Sequence, residues 1–171
     1  INSYVANSLS AKDKSRYYIE ILHPKVVKSS LSETTNQIMI GLNNLSIIDK
    51  YQRLPNPVEY FVDRSKIYIV QEYIEGKNLA RIIEDQFILS EAEVIEILMD
   101  AAIALQPIHK QQVIHGNIQP SSLIKRQKDQ KISLVDFNLV KEAINIIPNS
   151  KAGYIPPEQI AGRVTYNSDI Y

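Results

Sequence analysis

The stretch VIHGNIQPSSLIKRQKDQKISLVDFNLV, residues 113–140, constrains the fold more than any other part of the chain. Two polar knots, His115-Gly116-Asn117 and Asp136-Phe137-Asn138, bracket two short apolar runs separated by a charged turn. A strand–turn–strand ribbon carries the two outer ends of its strands side by side. Both knots are therefore expected on one side of a small ribbon, facing a common cleft.

The rest of the chain must supply a core for that ribbon. With 171 residues, 44% of them apolar and 22% charged, the composition is that of one globular domain. Nineteen basic and nineteen acidic residues leave no net charge, so nothing points to a nucleic-acid partner. The absence of cysteine excludes disulfides, thiolate catalysis and Cys-based metal sites. Three scattered histidines, His23, His109 and His115, make no zinc pattern. No apolar run approaches ~18 residues and no export signal is visible, so no membrane segment and a cytoplasmic location are expected. The chain opens at Ile1 rather than Met and stops within Ser168-Asp169-Ile170-Tyr171, which reads as a piece of a longer protein.

Periodicity supplies the elements. Alternation over residues 1–22, broken by Lys12-Asp13-Lys14-Ser15, predicts a two-stranded hairpin. Ile38, Met39, Leu42 and Leu45 fall at helical spacing, with Ser32 as N-cap. Val58–Val62 and Ile67–Tyr73 predict a second hairpin around Asp63-Arg64-Ser65-Lys66. Glu75-Gly76-Lys77-Asn78 reads as a linker, with a short helix near Leu79–Glu84 after it. Ser90 and Glu93 form a capping box. The helix they open is expected to bury Val94, Ile95, Leu98, Ala101, Ala102 and Leu105, and Pro107 to disturb its last turn. Strands with one helix, a linker, then helices plus a ribbon make an α+β layout in two lobes.

The order and spacing resemble the bacterial eukaryotic-like serine/threonine protein kinases. VQEYIEGKNL (70–79) is similar to the hinge, with Gln71 at the gatekeeper position. HGNIQPSS and DFN stand where the family has H-R-D-L-x-x-x-N and D-F-G. GYIPPEQ resembles the end of the activation segment, and Ser168-Asp169-Ile170-Tyr171 the start of the central helix. The resemblance covers nearly the whole chain and implies a kinase-like N-lobe over 1–74, hinge at 71–74, and part of a C-lobe over 75–171. The N-lobe would be an antiparallel sheet plus one helix, without the glycine-rich loop. The C-lobe would be mainly helical and truncated.

The chemistry that the resemblance implies is largely replaced. The catalytic base position holds Asn117, and an amide cannot accept the substrate proton, a contribution of roughly 10²–10⁴-fold. Gln119 and Glu20 occupy the two lysine positions, and Thr35 the helix glutamate. Ser122 replaces the second metal ligand, Gly116 the arginine that receives an activation-loop phosphate, Asn138 the glycine of the metal loop, and Lys151 the threonine before GYIPPE. Tyr18 stands where a small residue meets the adenine, and is expected to fill that space. Backbone groups of Glu72 and Ile74 would meet a nucleotide if one bound. Asp136, with Ser122, is the candidate metal site. His115, Phe137, Glu158 and Asp169 retain architectural roles.

The implied function is a catalytically inactive kinase-like domain, a regulatory or binding module in signalling with a protein partner and no cofactor. One alternative is a divergent ATP-dependent serine/threonine kinase with weak activity, using Asp136, magnesium and ATP. Another is a truncated product with no function of its own.

Overall fold

The computed structural model describes residues 2–8, 15–22, 35–36, 39–40, 53–86, 88–137 and 152–171. Strands β1 (Asn2–Asn7), β2 (Arg16–Leu22), β3 (Pro57–Asp63) and β4 (Lys66–Glu72) form an antiparallel sheet in the order β1-β2-β4-β3. Both hairpins follow the alternation of the sequence. In β4 the alternate residues Ile67 and Ile69 are buried, each 1% exposed. The β3–β4 turn has two central residues, Arg64 and Ser65, both at positive φ. That matches the type I′ geometry whose twist suits a tight hairpin. Phe61 and Tyr68, opposite one another across this hairpin, stack with ring centres 4.8 Å apart.

The helix expected over 32–45 falls largely on residues outside those described. Residues 35–36 and 39–40 of it are helical.

A second, three-stranded sheet runs β5 (Gly76–Asn78), β6 (Leu123–Arg126) and β7 (Ile132–Leu134), again antiparallel. Residues 75–78 were expected to form a linker, yet Gly76, Lys77 and Asn78 pair with Arg126, Lys125 and Ile124. Gly76 makes this possible. A Cβ there would lie 2.3 Å from the Lys125 carbonyl oxygen and 2.8 Å from Ile124 Cγ2. The glycine is a requirement of close strand approach, and not a mark of a loose connection.

Helices α1 (Leu79–Gln86) and α2 (Glu91–Lys110) follow, with a short α3 (Pro157–Ile160) near the end of the chain. Ser90 caps α2 in a complete capping box. Glu93 N–H donates to its hydroxyl, and the Glu93 carboxylate accepts from both the Ser90 hydroxyl and the Ser90 amide. Those bonds from the Ser90 hydroxyl and then its amide hold the Glu93 carboxyl below its usual value. The box therefore stabilises the helix start above the ordinary carboxylate range and weakens as pH falls through it.

Helix α2 runs through Pro107 to Lys110, and its buried side is the expected one only in Ala101 and Leu105. Ile97, Asp100, Ala101, Ala104, Leu105 and Ile108 are buried, while Val94, Ile95 and Leu98 are 39%, 49% and 61% exposed and Ala102 is also exposed. The helix packs against β7, so the core face is set by what Ile132 and Leu134 present. Apolar count along α2 does not reveal that choice, because a carboxylate, Asp100, belongs to the core face. Its Oδ2 accepts from Arg53 Nη1 at 2.7 Å and from the Ile132 amide at 2.5 Å, and the Arg53 carbonyl accepts from the Leu134 amide at 3.0 Å. One buried ion pair thus fastens β7 and the segment at Arg53 onto α2.

Two expectations follow. Asp100→Ala removes the carboxylate beside Arg53, leaving its Nη1 the Ile132 carbonyl, and is expected to cost about 3–5 kcal/mol. Gly76→Ala forces β5 away from β6 at a cost of about 1–3 kcal/mol. Urea denaturation followed by circular dichroism checks both. An unchanged midpoint in either variant contradicts the role given to that residue.

Candidate functional site

The ribbon β6–β7 carries the two polar knots to one side. The knot at Gly116 begins with a backbone requirement. The amides of His115 and Gly116 both donate to one carboxylate, that of Asp169, at 2.8 and 2.7 Å. Successive N–H groups converge on one anion only if a residue adopts the left-handed region, and Gly116 does so at φ 67. Asp169, 3% exposed, also meets His109 Nε2 at 2.8 Å.

His115 is wholly buried and its tautomer is fixed. Nδ1 accepts from the Asn117 amide at 3.3 Å, so Nε2 carries the proton and donates to the Val135 carbonyl at 3.1 Å. With both nitrogens engaged, the ring ties the first knot to the strand that leads to the second. Its face meets Phe137 at 4.2 Å between ring centres.

The side chains of Asn117, Asp136 and Gln119 are bonded to one another. Asn117 Nδ2 donates to Asp136 Oδ2 at 2.8 Å and to the Asp136 carbonyl at 2.9 Å. Asn117 Oδ1 accepts from Gln119 Nε2 at 3.1 Å. Asp136 is itself at φ 61, a left-handed conformation that costs a non-glycine residue about 1 kcal/mol or more. The two bonds from Asn117 hold it there.

Ser122 belongs to the loop's own frame. Its hydroxyl, fully buried, donates to the carbonyls of Asn117 at 2.7 Å and Gln119 at 2.9 Å and accepts from the Gln119 amide at 3.1 Å. These bonds close the 3₁₀ turn at Pro120–Ser122. Ser121, not Ser122, lines the cleft. As a divalent-cation site, the pair Asp136 and Ser122 fits poorly: one ligand is already hydrogen-bonded by an amide, and the other is turned inward. Among the described residues, no cluster of three His, Asp or Glu side chains could hold a metal ion.

The cleft itself is a cavity of about 380 Å³ between the two sheets. Tyr18 and Gln71 bound it on the four-stranded sheet, Glu72 and Ile74 at the connection, and Ile124 and Asp136 on the ribbon. Tyr18, expected to fill this space, lines its wall and leaves it open. No Lys, Arg or His is among its described lining residues. Glu20 is two residues from Tyr18 on β2 and so shares its face. The Glu72 and Tyr73 amides are committed elsewhere, to the carbonyls of Asn56 and Arg16.

Segment 152–171 closes the site from below. Gln159 Nε2 donates to the Gly116 carbonyl at 2.7 Å, and Glu158 accepts from the Ser168 hydroxyl at 2.8 Å. Gln159, His109 and Ser168 were not singled out as site residues by sequence reasoning. Their partners lie 43, 60 and 10 residues away, a separation for which no short motif signals. Asn138 and Lys151 lie outside the described residues. Thr35 is helical and half-buried.

The protein kinase domain model matches residues 9–171. Serine/threonine-protein kinase B of Synechocystis sp. is 37% identical over 141 residues, covering 74% of this chain and 25% of that protein. Serine/threonine-protein kinase PknA of Nostoc sp. is 35% identical over 130 residues, covering 70% and 23%. Serine/threonine-protein kinase C of Synechocystis sp. is 31% identical over 162 residues, covering 88% and 30%. The chain thus spans a quarter to a third of the length of these relatives. Its α+β architecture, its antiparallel sheet over a ribbon-bearing helical part, and the family match agree: the chain belongs to the protein kinase domain family.

Proposed function

We propose that this kinase domain does not transfer phosphate and serves as a regulatory or binding module for a protein partner. The observation that carries the reading is the bonded chain Gln119–Asn117–Asp136. Phosphoryl transfer in this family consists mostly of positioning and charge neutralisation. A cation, a base and a metal ligand are needed there, and the chain offers an amide, an amide and a carboxylate already accepting from the second amide. The cleft adds no cation among its described lining residues, while Glu72 and Asp136 contribute two acids. A polyphosphate entering it would meet like charge, and the electrostatic stabilisation that supplies most of the rate is missing.

One observation favours a second reading, a weakly active kinase that uses Asp136 with a metal and ATP. The cleft remains open beside Tyr18, with Asp136 on its wall. The two readings part on one measurement. The purified chain, incubated with γ-labelled ATP and Mg²⁺ or Mn²⁺, is expected to label neither itself nor a general protein substrate above the level of its Asp136→Ala variant. Labelling that Asp136→Ala abolishes would establish the second reading and end the first.

A further inference from the structure

We infer that Asn117 is a built-in substitute for the divalent cation: its amide occupies the face of Asp136 that a metal would need. The inference rests on the reading of the cleft just given and deepens it.

The orientation of the amide is determined by its partners. An ionised carboxylate only accepts hydrogen bonds, so the Asn117 nitrogen must face Asp136. The Asn117 oxygen then faces Gln119, whose Nε2 donates to it at 3.1 Å. Nδ2 reaches both the Asp136 carboxylate at 2.8 Å and the Asp136 carbonyl at 2.9 Å. Two acceptors of one residue are bridged by one donor group. Asn117 is 4% exposed, so water competes poorly for this bond. Its backbone is fixed independently, through the His115 ring and the Ser122 hydroxyl. The donor is therefore held at Asp136 without needing a ligand in the cleft.

The exchange Asn117→Asp makes the role visible. It places a carboxylate oxygen where the nitrogen now lies 2.8 Å from Asp136 Oδ2, and two anions at that distance repel unless a cation or proton joins them. The variant should acquire a need for metal that the native chain lacks. It should not acquire phosphate transfer, because Gln119 and Glu20 are unchanged.

Mn²⁺ alone is the probe, read by thermal melting and by paramagnetic broadening of amide signals around residues 115–137. The native chain is expected to show neither saturable broadening nor a rise in Tm. Asn117→Asp is expected to melt lower without metal and to recover with Mn²⁺, with an apparent affinity at least about tenfold tighter than the native chain's. Asn117→Ala is expected to melt lower and to stay indifferent to Mn²⁺, which a purely structural bond would predict for both variants. Saturable Mn²⁺ binding by the native chain, lost in Asp136→Asn, overturns the inference, and this arm holds even if Asn117→Asp fails to fold. A folded Asn117→Asp indifferent to Mn²⁺ overturns it as well. Metal binding by the native chain without phosphate transfer would sink this inference alone, whereas transfer would sink the reading beneath it.

Discussion

The buried carboxylate of Asp169 is the constraint on which the site depends. Removing such a group from water costs several kcal/mol unless donors surround it, and here three do. They are the amides of His115 and Gly116 and the Nε2 of His109. The donors come from the end of α2 and from the loop after it, so the anion joins the segment at 166–169 to both. Satisfying it dictates the backbone at Gly116, and that backbone fixes where Asn117 begins. The side chain that bonds Asp136 is thus aimed by a carboxylate that does not itself line the cleft.

From Asn117 the dependence passes across the ribbon. His115 bonds the Asn117 amide on one side and the Val135 carbonyl on the other, spanning both strands' ends. Phe137 lies against the same ring. Asp136, held between Val135 and Phe137, has little freedom left, and its left-handed backbone is one that only surrounding structure can impose. Gln159 adds a bond to the Gly116 carbonyl from outside the ribbon. Loop, ribbon and closing segment are consequently tied to one another by hydrogen bonds between them.

Much of this was legible because local rules decide it. Alternation over residues 1–22 and in Val58–Val62 and Ile67–Tyr73 predicts the two hairpins, and Ser90 with Glu93 predicts the start of α2. What could not be read depends on pairs far apart in the chain. Periodicity showed that α2 is apolar on a wide arc, but only the packing of β7 selects Ile97, Ala104 and Ile108 over Val94, Ile95 and Leu98. Asp100 looks like a solvent-facing residue until Arg53, 47 positions earlier, is found beside it. Gly76 looks like slack in a linker until Lys125 is found 2.3 Å from its absent Cβ. At the site, Asn117, Gln119, Ser122 and Asp136 could be named from the sequence one by one. That Asn117 and Asp136 bond each other, 19 positions apart, could not.

Asn117, Gln119 and Asp136 fit one another in a way that a change at any one of them would break. An aspartate at 117 facing Asp136 would bring two anions together and require a cation. A lysine at 119 beside an asparagine at 117 would find only an amide oxygen, a weak partner for a full charge. With Gln119 and Asn117 both amides, each donor meets an acceptor and one negative charge remains, shared among the hydrogen bonds it accepts. The frame tolerates the exchange because its own bonds go to backbone. His115, Ser122 and Asp169 engage carbonyls and amides whose positions do not depend on which side chains face the cleft. The frame is therefore held by bonds to backbone atoms, independent of the side chains of Asn117 and Gln119.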